Sequence, residues 1–404
     1  LSKKKITGDA ELPGAHLRLI EKASNAIVDE WVSTDTPHTI RRLKVGVTYI
    51  LRETLSPAGY TVATDVEFTV LDTGNVQPVV MRNKLTRIEI HKKDNVTGEA
   101  LHGVKFRIQD KDKNAQRFVY DTVLTAYVRE AAASTGNSPV LTTNTDGSIL
   151  VLGLPIGDYE LVETKESPGY KRLRDPVAFT VKETSDNTSP VVINLENEKN
   201  EVILEKTDLA IGEPVAGAVI QICNEENVKV YEVATDANGQ AMIVGLPAGT
   251  YTFKETLAPD GYILNEETFT FTIDPYGDVS GVTEFTNEPT ALTVVKEDIE
   301  DGIHLEGAVF EVYRLRTGED PELMRFRLEG ENYIAVADGE ITTVTSNAEG
   351  TINILRLPHG EYRLVEITAP SGYVLDPTPL DVVLDDKANT TVKNDKTEIT
   401  LEKT

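Results

Sequence analysis

A chain of 404 residues is too long for one hydrophobic core, and 40% hydrophobic with 26% charged residues is the composition of folded domains. A formal charge of −26 leaves no basic face for nucleic acid, and a single cysteine, Cys223, excludes an internal disulfide and a cysteine-based metal cluster. No apolar run reaches membrane-spanning length, so the expectation is a series of solvated domains.

Along the chain the elements are short strands rich in Val, Ile, Thr and Tyr, separated by turn residues. The first strand carries Lys3, with Gly14 eleven residues later. A later strand runs into Tyr49-Ile50-Leu51-Arg52-Glu53-Thr54-Leu55-Ser56-Pro57-Ala58-Gly59-Tyr60, and Asn83 closes the stretch. The same three phrases then return. Lys92/Gly103, Tyr159 to Glu163 with Pro168-Gly169-Tyr170, and Asn197 form a second set. Lys206/Gly217, Tyr251 to Glu255 with Pro259-Asp260-Gly261-Tyr262, and Asn287 form a third. Lys296/Gly307, Tyr362 to Glu366 with Pro370-Ser371-Gly372-Tyr373, and Asn394 form a fourth. Each closing Asn stands nine residues before the next opening Lys, and successive Lys lie 89, 114, 90 and 107 residues apart.

Internal repetition of this kind predicts an all-β array of four tandem sandwich domains. The expected boundaries are 1–84, 85–198, 199–288 and 289–395. Residues 396–404, with Lys403, read as the start of a fifth repeat. Insertions near 109–144 and 314–345 lengthen the second and fourth repeats. Linkers are nearly absent, which predicts an extended, semi-rigid rod. Gly153-Leu154-Pro155, Gly245-Leu246-Pro247 and Arg356-Leu357-Pro358 each precede the Tyr-to-Glu strand, where the first repeat has Val45-Gly46-Val47. The segments at 145–147, 236–239 and 347–350 read as hairpin turns.

Residues of equal parity share a face of a strand. Ile88, Ile90 and Lys92 share one, as do Val202, Leu204 and Lys206, and Leu292, Val294 and Lys296. The same parity joins Glu53 to Tyr49 and Leu51, Glu163 to Tyr159 and Leu161, Glu255 to Tyr251 and Phe253, and Glu366 to Tyr362 and Leu364. It also joins Asn83 to Met81, Asn197 to Leu195, Asn287 to Phe285 and Asn394 to Val392. Each repeat therefore directs a Lys, a Glu and an Asn at its core. Burial favours the neutral amine and the neutral carboxylic acid. A neutral amine is a nucleophile, and a neutral acid can polarise the Asn amide and shuttle protons. Attack of Lys Nζ on Asn Cγ with loss of ammonia leaves an amide. The alternative is a buried Lys–Glu ion pair beside a hydrogen-bonded Asn, with no covalent bond.

These residues resemble the Cna-B/SpaA-type repeats of Gram-positive surface proteins over essentially the whole chain. The most specific part is Tyr-x-φ-x-Glu-Thr-x-(Ala/Ser)-Pro-x-Gly-Tyr (φ apolar), the E-box of pilins. The second is Lys-x-Asp at Lys92-Lys93-Asp94, Lys206-Thr207-Asp208 and Lys296-Glu297-Asp298. The first repeat departs from it, with Lys5 in place of the Asp. The second has Lys165-Glu166-Ser167 in the E-box, and the fourth has Ile367 for Thr. The resemblance implies inverse-immunoglobulin or prealbumin-like sandwiches with Lys–Asn isopeptide bonds catalysed by Glu. The cross-links would be Lys3–Asn83, Lys92–Asn197, Lys206–Asn287 and Lys296–Asn394.

The function expected is a structural stalk in a cell-wall-anchored adhesin, extracellular, with signal and sorting sequences outside this chain. The alternatives are a sortase-assembled pilus subunit and a module binding a host-matrix protein such as collagen, for which the two inserts are the candidate surfaces. Neighbouring repeats are the expected partners, with the chain otherwise monomeric. Turnover catalysis is not expected, because no phosphate loop, nucleophile elbow or His-centred triad is present. Neither a cofactor nor a metal is expected. The six histidines lack metal-ligand spacing, Asp236-Ala237-Asn238-Gly239 lacks the Glu of a calcium loop, Cys223 reads as a lone thiol, and Trp31 reads as a core or strand residue.

Overall fold

The computed structural model describes residues 1–5, 9–129 and 137–402, so Lys403 lies outside the described residues. Among these the elements are all strands, with no helix. The chain divides into two compact units. One comprises residues 1–200 with 244–248 and 273–278, and the other holds the remainder.

In unit 1 the first repeat pairs Ser2–Lys5 with Val80–Asn83, opposite a four-stranded sheet of Ala26–Val32, His16–Glu21, Thr48–Leu55 and Val66–Thr69. Trp31 lies in this second sheet and packs on its core. The second repeat orders Val191–Asn197, Arg87–Asp94, Ser148–Leu152, Ala126–Arg129 and Phe118–Asp121 in one sheet. Leu141–Thr142, Lys105–Asp110, Gly157–Lys165 and Val177–Val181 form the other. Alternation is strict where a strand covers the core: in Arg87–Asp94 the residues Ile88, Ile90, Lys92 and Asp94 are buried, and those between are not.

In unit 2 the third repeat sets Gln240–Val244, Glu201–Asp208 and Glu284–Asn287 against the sheet built on Val219–Cys223 and Gly249–Leu257. The fourth sets Phe326–Glu329, Asn332–Ala335, Thr351–Leu355, Ala291–Asp298 and Lys387–Asn394 against the sheet built on Val309–Leu315 and Gly360–Thr368.

One feature recurs in all four. The first strand of the repeat lies beside its last, and the two run parallel. A parallel pair needs a long crossover, and here nearly the whole repeat is the crossover. The E-box strand lies in the opposing sheet, so its inward residues meet the first and last strands across the core.

One sequence expectation resolves differently in space. The turns at 145–147, 236–239 and 347–350 do not join neighbouring strands of a hairpin. Each carries the chain from one sheet to the other: Leu141–Thr142 pairs with Lys105–Asp110, whereas Ser148–Leu152 pairs with Arg87–Asp94. The described parts of the inserts extend the sheets. Phe118–Asp121 and Ala126–Arg129 form a hairpin that adds in parallel to Ser148–Leu152, and Phe326–Glu329 with Asn332–Ala335 adds likewise to Thr351–Leu355. Phe118 and Phe326 drop from these hairpins into the cores. Replacing Phe326 by Ala should therefore destabilise the fourth repeat by about 3–5 kcal/mol, as for a buried aromatic rather than a surface loop. Chemical denaturation followed by hydrogen exchange at Val294 and Ile354 measures it.

Candidate functional site

The opening Lys is fixed first through its backbone. Lys92 N donates to Gly147 O at 2.9 Å, and Lys92 O accepts from Leu101 N at 2.9 Å. Lys206 is held likewise by Gly239 O and Val215 N, and Lys296 by Gly350 O and Leu305 N. The turn glycine is required by this approach: a Cβ on Gly147 would stand 2.5 Å from Lys92 O. Lys3 is held by Leu12 N on its carbonyl and by Glu11 Oε2 on its amide.

Register places the Asn next. Lys92 is opposite Leu195 on the parallel strand, so Asn197 stands two residues further on and on the same face. The offset is the same for Lys3 opposite Met81, Lys206 opposite Phe285 and Lys296 opposite Val392. The Glu arrives from the other sheet. Lys Nζ to Glu carboxylate distances are 3.1 Å for Lys3–Glu53, 3.2 Å for Lys92–Glu163, 3.6 Å for Lys206–Glu255 and 3.1 Å for Lys296–Glu366. The Asn Nδ2 donates to the same carboxylate: Asn83 to Glu53 at 2.7 Å, Asn197 to Glu163 at 2.8 Å, Asn287 to Glu255 at 3.0 Å and Asn394 to Glu366 at 3.3 Å. All twelve sequence-predicted residues are thus brought together, three to a repeat.

The second and fourth repeats go one step further, with Lys92 Nζ on Asn197 Oδ1 and Lys296 Nζ on Asn394 Oδ1. In the first and third, Asn83 Oδ1 and Asn287 Oδ1 are buried and accept no hydrogen bond among the described residues. There Lys206 Nζ lies 3.7 Å from the centre of the Phe285 ring.

Each Lys is at most 2% exposed. Desolvation is the largest influence on all four and lowers their pKa against the opposing pull of the Glu, taking Lys206 down to about 8. Desolvation also raises Glu163, although Lys92 and Asn197 act against it. In the second repeat, amine and acid are both displaced toward their neutral forms, the state in which an amine attacks and an acid donates.

A second constellation escaped the sequence reading. Asp94 Oδ1 caps the turn at Val96 and Thr97, and Asp94 Oδ2 accepts the Tyr170 hydroxyl at 2.9 Å. Asp298 likewise caps at Glu300 and accepts from Tyr373 at 2.9 Å. The E-box Tyr is therefore tied to the residue two beyond the Lys. In the third repeat Asp208 caps at Ala210 and faces Tyr262 as well, and in addition takes Arg356 Nε at 2.7 Å, and the first repeat has Lys5 at this position. The Lys–Asn contact is found in the two repeats whose Asp is present and receives no Arg. The joint presence of Lys-x-Asp and Gly-Tyr was the available signal.

Tandem all-β sandwiches, each with its first strand parallel to its last, define a modular class of protein. The particular family is the SpaA prealbumin-like fold domain, which matches residues 1–85, 86–199, 200–289 and 290–398, and the chain belongs to it. The trypsin-resistant surface T6 protein of Streptococcus pyogenes serotype M6 is 33% identical over 72 residues, 18% of this chain and 13% of that protein. The Bacillus anthracis TIE protein aligns at 21% identity and TM-score 0.38, over 98% of this chain and 73% of that one. A streptococcal ancillary pilin aligns at 19% identity and TM-score 0.31, over 77% of this chain and 99% of that one.

Backbone hydrogen bonding, from Thr97 first, holds Asp94 at about 2, below its ordinary 3.8. For Asp298 burial pushes upward, but the Glu300 amide, Lys396 and Tyr373 outweigh it and leave it at about 2. A carboxylate with a depressed folded-state pKa adds stability above 3.8 that is lost as pH falls through 2. Thermal unfolding of the second and fourth repeats should therefore drop between pH 4 and pH 2, and Asp94→Asn with Asp298→Asn should flatten that drop. Calorimetry across this range checks it.

Proposed function

We propose that the chain is a structural stalk of a bacterial surface adhesin, each repeat locking itself by an amide between its opening Lys and closing Asn. One observation carries the reading. A Lys, a Glu and an Asn converge, buried, on the first, middle and last strands of all four repeats. Lone charges do not persist in an apolar core by chance four times over. The reading divides the chain at 84/85, 198/199, 288/289 and 395/396, and its setting is the extracellular, cell-wall-anchored surface.

The chemistry balances within the three side chains. Lys Nζ, as the neutral amine, forms a bond to Asn Cγ. The Cγ–Nδ2 bond breaks, and Nδ2 leaves as ammonia. The Glu carboxyl takes a proton from Nζ and delivers one to Nδ2, the atom that it already contacts. Each group turns over once, so this is self-modification rather than enzymatic turnover. Holding amine and amide side by side removes the translational cost of the encounter.

The mass of the intact protein should fall short of its sequence by one ammonia per repeat. Glu255→Ala should return one ammonia, leaving Lys206 and Asn287 unlinked, and a mass equal to the sequence overturns the cross-link. Mechanical unfolding tests the stalk separately. The links close loops with sequence separations of 105 residues for Lys92–Asn197 and 98 for Lys296–Asn394. By analogy with disulfides, that constrains the unfolded chain by roughly 4–5 kcal/mol. Load entering at the first strand leaves through the amide to the last. Pulling the wild-type chain should give no extension of repeat length, and the Glu255→Ala chain should give one. Whole-repeat extension of the wild type at low force would overturn the stalk even with the cross-links present.

A further inference from the structure

The joints between repeats are built to one pattern, read here inside each compact unit. In unit 1 the pivot is Thr86. Its N–H donates to Gly59 O at 3.0 Å, its carbonyl accepts from Gly153 N at 3.0 Å, and its hydroxyl donates to Leu154 O at 2.6 Å. A Cβ on Gly59 would stand 2.5 Å from Gly153 O, so the E-box glycine is the floor on which the Gly-Leu-Pro turn sits. Asn200 repeats the pattern, donating from its N–H to Gly169 O at 2.9 Å and from Nδ2 to Leu246 O at 2.7 Å, and accepting from Gly245 N at 2.8 Å. In unit 2 Thr290 donates to Gly261 O at 3.0 Å and to Leu357 O at 2.6 Å, and accepts from Arg356 N at 3.1 Å. The three pivots are 0–1% exposed.

A fourth copy of the socket stands on the last repeat. Thr397 N donates to Gly372 O at 2.9 Å, and Tyr373 bridges to Lys396 as Tyr60, Tyr170 and Tyr262 bridge to Leu85, Lys199 and Pro289. Gly372 keeps the backbone of its counterparts, φ +88° against +85°, +85° and +86°. Here, among the described residues, no atom lies within 4 Å of a Cβ placed on Gly372, and Thr397 is exposed. The hydroxyl, which at the Thr86 and Thr290 joints meets both the Gly carbonyl (3.4 and 3.3 Å) and a Leu carbonyl, here meets Gly372 O at 3.0 Å.

We propose that Gly372 and Thr397 form a docking site for the Gly-Leu-Pro turn of a further prealbumin-like repeat. The neighbouring Asp selects this version of the turn over the Arg-Leu-Pro one. Where the seated turn begins with Arg356, the Arg takes Asp208 and Glu213. Where it begins with Gly245, the Asp of the socket repeat, Asp94, keeps Tyr170 and the cation of Lys199 at 3.8 Å, whereas the Arg356 joint has Pro289 in place of that Lys. Asp298 is bonded to Tyr373 and Lys396, which is the arrangement that accompanies glycine. Among the described residues a second copy of this chain offers no free turn of the kind. Its turns at 153–155, 245–247 and 356–358 are seated, and at the equivalent place its first repeat carries Val45-Gly46-Val47 instead.

The test extends the full chain by joining a second copy of residues 201–289 directly after Thr397. Hydrogen exchange is read at the grafted Gly245 amide, with Gly153 in the same molecule as the seated reference. The grafted amide should exchange at least about tenfold more slowly than in the same graft carrying Gly372→Ala. Thr397→Val, which leaves the Gly372 turn intact, should give a smaller change in the same direction. Protection at Leu364 reports that the fourth repeat is folded in either variant. Equal exchange with and without the variants overturns the proposal. So does a graft whose core is unprotected, since the same residues fold behind Asn200. Dimerisation of the ungrafted chain that Gly372→Ala abolishes would overturn the choice of occupant.

Discussion

Everything in these repeats answers one constraint: an ammonium group cannot sit in an apolar core without compensation. Lys92, Lys206 and Lys296 are among the largest fully buried side chains of the chain, beside Phe106, Phe253 and Phe310. The fold supplies a carboxylate from across the sandwich and an amide from the neighbouring strand. Burial in turn lowers the amine's affinity for its proton. The strain of burying a cation and the making of a nucleophile are the same physical fact.

The triad was legible because strand parity is local. Ile88, Ile90 and Lys92 announce a common face within five residues, and the recurring offsets to Gly and Asn supplied the register of the repeats. That Lys92 sits opposite Leu195 was not readable. Parallel pairing over such a separation leaves no period in the sequence.

The same limit explains the rest. Asn144 to Gly147 has the composition of a hairpin turn, and its backbone bonds are those of a tight turn. Composition specifies the turn but not which sheet the next strand joins. The inserts were legible only as added length, because their strands are short and irregular in pattern, and Phe118 and Phe326 reveal core contributions once partners are known. The Asp–Tyr tie and the Thr and Asn pivots join motifs that were each visible, in contacts that cross between elements or between repeats.

The inserts also show which dimension of the fold is free to vary. They add strands at the edge of the sheet remote from the closing strand, at Ala126–Arg129 and Asn332–Ala335. The opening and closing strands keep the same two-residue offset in repeats with and without them. A repeat can therefore grow sideways, acquiring new outer surface, while its buried Lys–Glu–Asn centre keeps its register. Such a module can diversify its flank while the pairing of its first and last strands stays the same.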